Sequence, residues 1–66
     1  MRVKINLFGK EQTITASKEV LNLFSSALSA AANEQARRGH DAVSEQFDNI
    51  SDTIYYALKN TGYYDK

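Results

Sequence analysis

Along "RVKINLFGKEQTITA" the chain alternates, with Val3, Ile5 and Leu7 before a glycine and Ile14 and Ala16 after it. A period of two on both sides of a turn residue predicts a β-hairpin over residues 2–16. Gly9 and Lys10 suit the centre of a type II′ turn, which favours Gly first. That turn sets Phe8 opposite Glu11, Ile5 opposite Ile14 and Val3 opposite Ala16. Every apolar residue except Phe8 then lies on one face. Lys4, Asn6, Phe8, Thr13 and Thr15 form the other.

From Ser17 the period lengthens to that of a helix over residues 18–38, with Ser17 as N-cap and Glu19 in the first turn, where the helix dipole favours negative charge. At 100° per residue, Val20, Phe24, Ala27, Leu28, Ala31 and Gln35 form the expected buried stripe, widened by Leu21 and Leu23. Asn22, Ser25, Ser26, Ser29, Asn33 and Ala36 fall on the opposite face, polar but uncharged. Arg37, Arg38 and Gly39 make a C-terminal signal. Asp41 is the expected N-cap of a second helix over residues 42–60, whose inner stripe is Val43, Phe47, Ile50, Ile54, Ala57 and Leu58. Gly62 fits a left-handed cap that returns Tyr63 to the last turn, toward Leu58. Tyr64 is expected to cover the hairpin or lie free. Together the elements predict an α+β fold: one domain, residues 1–66, with an N-terminal β-hairpin packed on an antiparallel two-helix hairpin (ββαα).

Composition sharpens this picture. A chain of 66 residues buries only about 60% of the surface its unfolded form exposes. Such domains lean on disulfides, metals or association. There is no cysteine and one histidine, His40, so association is the expected compensation, and no metal or other cofactor is expected. No apolar run reaches the roughly 18 residues of a membrane span, and "MRVKINLFGK" lacks the apolar core of a signal peptide. The expected location is the cytoplasm, with no membrane partner.

The net charge of zero hides a polarity. Residues 1–39 carry six basic and three acidic side chains, residues 40–66 two basic and five acidic. Within the second part, Asp41, Glu45, Asp48 and Asp52 recur at spacings of four, three and four and line one ridge of the second helix, which Tyr55, Tyr56 and Lys59 continue. The wheel puts Tyr55 and Tyr56 roughly 110° and 150° from the buried stripe. A solvated face with acids near the helix start would read the same way. The functional reading is a surface that docks an unidentified protein partner, since tyrosine is enriched at interface hot spots.

A homodimer is the other expected association. Thr13 and Thr15 lie on the less charged strand edge, and Ser25, Ser26 and Ser29 on the uncharged helix face; either offers a two-fold interface. Nucleic acid is the alternative partner, through Arg2, Lys4, Lys10 and Lys18 around the hairpin with Phe8 to stack on a base. The order of elements in "TITASKEVLNLF" and the Gly-containing turn before "DAVSEQF" loosely resemble ribbon-helix-helix repressors, which would imply strand-paired dimers that bind DNA. The first helix here is longer than in that family, and a preceding hairpin strand is foreign to its pattern. Catalysis is not expected. His40 beside Asp41 reads as a turn histidine, the glycines are isolated, and the acids have no histidine at ligand spacing.

Overall fold

The computed structural model describes residues 1–65. Its order is β1 (Arg2–Leu7), β2 (Lys10–Thr15), α1 (Lys18–Arg37) and α2 (Asp41–Asn60), the ββαα arrangement expected. β1 and β2 form a two-stranded antiparallel sheet that approaches the helices through β1 onto α2. No helix among the described residues is long and apolar enough to cross a membrane.

The hairpin turn differs from the expected one. Val3 pairs with Ile14, Ile5 with Gln12 and Leu7 with Lys10, so the two-residue loop is Phe8–Gly9. Both residues take positive φ, 50° and 84°, as a type I′ turn requires. Positive φ is costly for a bulky residue such as phenylalanine. Two side chains hold it there: the Phe8 N–H donates to Gln46 Oε1 and the Gly9 N–H to Asn6 Oδ1, both at 2.9 Å. Each residue of β1 now faces one two places nearer the turn than expected. A two-residue slip preserves the side-chain period, so Val3 and Ile5 still point inward.

Val3, Ile5, Leu21, Ile50, Ile54 and Leu58 form the core, with Ile14, Ala16, Leu28, Ala57 and Tyr63 packed around it. On α2 the expected stripe is the inner one: Ile50, Ile54 and Leu58 are buried, and Val43, Phe47 and Ala57 half-buried. On α1 the expected stripe holds only in part: Leu21 is buried and Leu28, Ala31 and Gln35 are half-buried, but the rest is turned outward. Leu21, Ser25 and Ala32 are the buried residues, whereas Val20, Leu23, Phe24 and Ala27 are exposed.

The cause is a small-residue seam between the helices. Ser25 Oγ donates to the Ser51 carbonyl at 3.0 Å, and Ser51 Oγ returns a bond to the Ser25 carbonyl at 2.8 Å. One helical turn pair further along, Ser44 Oγ donates to the Ala32 carbonyl at 2.8 Å. A hydroxyl on one helix reaches a backbone carbonyl on the next only when the two backbones approach closely, which large side chains would prevent. Each buried hydroxyl is satisfied by the facing helix, so its burial costs little.

Both helix ends follow from glycine. Gly39 and Gly62 take φ of 80° and 79°. His40 N–H bonds to the Gln35 carbonyl and Gly39 N–H to that of Ala36; Tyr63 N–H and Gly62 N–H repeat the pattern on Leu58 and Lys59. These are paired Schellman motifs. At the start of α1, Ser17 Oγ accepts from the Val20 N–H at 3.2 Å, as expected. Asp41, in contrast, is not an N-cap. The Schellman turn fixes His40, whose carbonyl already accepts from the Ser44 N–H, and α2 begins one residue early with Asp41 inside its first turn. Gly62→Val should cost about 1–2 kcal/mol, because an L-residue pays roughly that to hold the left-handed conformation. Urea denaturation checks this, and an unchanged midpoint would remove the cap.

Candidate interaction surface

The four tyrosines form one connected cluster. The Tyr55 ring lies 5.4 Å from Tyr56 and 5.2 Å from Tyr64, and Tyr64 lies 5.1 Å from Tyr63. Edge-on and tilted geometries of this kind suit aromatic quadrupoles. Residues are supplied by two routes: Tyr55 and Tyr56 ride on α2, while the Gly62 turn brings Tyr63 and Tyr64 back beside them.

Within the cluster the rings divide their roles. Tyr63 is half-buried and packs on the core, as the cap predicts. Tyr64 does not cover the hairpin. Its hydroxyl donates to Asn22 Oδ1 on α1 at 2.8 Å, tying the chain's end to the helix pair. Desolvation, then the nearby Tyr55 and Tyr63 phenols, holds the Tyr64 hydroxyl above the usual tyrosine range. Like any tyrosine hydroxyl it keeps its proton at neutral pH and serves as a donor. Tyr56 touches only Tyr55 among the rings and is 57% exposed.

The carboxylates continue from this aromatic end. Asp41, Glu45, Asp48 and Asp52 are all exposed, as is Lys59. The three ion pairs among the described residues lie elsewhere: Lys4 with Glu11, and Arg37 and Arg38 with Glu34. The result is a ridge of unpaired negative charge leading to partly exposed tyrosines. Because Tyr56 points outward, Tyr56→Ala should change folding stability by less than about 0.5 kcal/mol. A large loss in thermal or urea denaturation would place Tyr56 in the core and take it off this surface.

The remaining sequence-derived positions separate. Thr13, Thr15, Ser26 and Ser29 are exposed, but Ser25 is not an outward residue; it is buried in the helix seam because it is the small side chain that lets α2 approach. Arg2, Lys4, Phe8, Lys10 and Lys18 are all exposed. They are scattered along both strands, the turn and the start of α1, and Lys4 is drawn toward Glu11 at 3.9 Å. His40 Nδ1 sits 2.7 Å from Gln35 Oε1, inside the inter-helix turn. A small cleft of about 150 Å³ opens between β1 and α2, lined by Asn6, Gln46, Asn49, Ile50 and Thr53. Its Gln46 already serves the Phe8 amide.

Sequence reasoning missed Ser44 and Ser51 as buried residues. Their signal was present: with Ser25 and Ala32 they place small side chains on facing helix sides. Compared with protein-family models, curated proteins and solved structures, the chain matches none.

Proposed function

We propose that this chain is a small non-enzymatic interaction module that acts as a homodimer and docks a protein partner through the acidic and aromatic ridge of α2. The observation that carries this reading is the tyrosine cluster with its outer rings open beside unpaired carboxylates. Such rings supply large contact area at low conformational cost. The carboxylates steer and orient a basic surface.

The test is affinity capture with the wild-type chain and with the double variant Asp48→Lys/Tyr56→Ala, whose positions are exposed and leave the core intact. Specific proteins held by the wild type should be lost from the variant, and should be retained by a Lys10→Ala control. Equal capture by both would overturn the ridge. Duplex DNA binding that falls steeply with salt and weakens on Lys4→Ala would instead favour the hairpin as a nucleic-acid surface.

A further inference from the structure

Part of the stripe that the wheel assigns to the interior of α1 remains uncovered: Val20, Leu23, Phe24 and Ala27 are exposed, and Ala31 is half-buried. Val20, Phe24, Ala27 and Ala31 recur at spacings of four, three and four, the seam spacing of paired helices. Leu23 and Ala30 flank them. Val20 is 53% exposed, Leu23 69% and Phe24 41%, and no charged side chain occurs from Val20 to Asn33. The α2 helix cannot cover this edge, since α2 occupies the Leu21, Ser25 and Ala32 side.

The whole molecule is also more open than its size demands. Its radius of gyration is 12.1 Å, against about 11 Å for a compact domain of this length. Its accessible surface is 4668 Å², against about 4,200 Å² for a compact monomer of this mass.

We propose that this edge of α1 pairs antiparallel with the same edge of a second copy. The inference rests on the dimeric part of the function proposed above and is independent of the ridge on α2. The second copy fits because the edge complements itself. With the two-fold axis between Ser25 and Ser26, Val20 of one copy meets the partner's Ala31, and Phe24 meets the partner's Ala27. Each layer sets a large side chain against a small one, with Leu23 lying beside the partner's Ala30. Parallel pairing would set Phe24 on Phe24 and Ala27 on Ala27, crowding one layer and leaving a void in the next. It would also align the two helix dipoles and bring both Arg37–Arg38 pairs together. The absence of charge along the run removes like-charge repulsion between identical surfaces.

Sedimentation velocity on the wild type, Leu23→Lys, Phe24→Lys and Ser29→Arg tests the surface. The two lysine variants should raise the dimer dissociation constant more than tenfold, with unchanged far-UV circular dichroism, while Ser29→Arg, exposed on the far side of α1, should leave it alone. A dimer that survives both lysine variants overturns the α1 edge but spares the dimeric reading; a wild type that stays monomeric overturns both, and neither result touches capture through the ridge. A complex on this edge only with another protein would likewise overturn the second copy as occupant. Cysteine pairing tests the register, because the chain has no native cysteine. Val20→Cys/Ala31→Cys should form a covalent dimer under mild oxidation. Val20→Cys alone should not, since the partner's position 20 would lie about 16 Å away along the helix, beyond disulfide reach. Efficient cross-linking of that single variant would overturn the antiparallel register.

Discussion

Ser51→Leu should destabilise the protein by about 3 kcal/mol or more, and on a chain of this length that threatens folding outright. Ser51 is 7% exposed and lies in the α1–α2 seam. Forcing extra methylenes into a packed core costs about 1–3 kcal/mol, and the lost hydrogen bond to the Ser25 carbonyl adds about 1. A domain of this size holds only roughly 3–10 kcal/mol in total. Ser51→Ala provides the comparison, because it removes the hydroxyl and keeps the close approach; its cost should be near 1 kcal/mol. Urea denaturation of the two variants separates packing from hydrogen bonding. If leucine were tolerated as well as alanine, the helices would not meet through this seam.

Ile54→Ala should cost about 2–5 kcal/mol, the usual range for truncating a fully buried aliphatic side chain. Ile54 is completely buried in the cluster that joins β1, α1 and α2. The cavity left behind would touch all three elements, so little collapse can relieve it. The informative contrast is Val20→Ala on α1. Val20 belongs to the same kind of apolar stripe in the sequence, yet it is half-exposed within the chain, and its truncation should cost dilute protein little. A loss at Val20 equal to that at Ile54, in monomeric protein, would mean that α1 is rotated from its described orientation.

These contrasts show where the sequence was legible. Period-two and helical patterns located all four elements, and Ser17, Gly39 and Gly62 marked helix boundaries because capping chemistry is local. Rotation of α1 was not legible. A hydrophobic wheel assumes that the largest apolar side chains face inward, whereas here Ser25 and Ala32 do, because close backbone approach admits only small groups. The hairpin register failed for a related reason. Gln46, thirty-eight residues from Phe8 in the chain, holds the turn amide, and no local rule reports a partner so distant.

The surface of α2 was more readable than that of α1. Acids at helical spacing and outward tyrosines follow from periodicity alone, and both are exposed. The ring cluster itself needed, beyond the expected Gly62 turn, the placement of Tyr64 through its hydrogen bond to Asn22, which the sequence left open.

A molecule whose Cα envelope is only 15 Å across its shortest axis has little interior, and association with a second copy is what would complete it. Sedimentation equilibrium over a hundredfold range of concentration, from about 1 to 100 µM, tests this most directly, since self-association follows mass action. The expected result is a rise from the 7.4 kDa chain mass to twice that value. A species of 7.4 kDa at every concentration, unfolding cooperatively and with a midpoint independent of concentration, would contradict it.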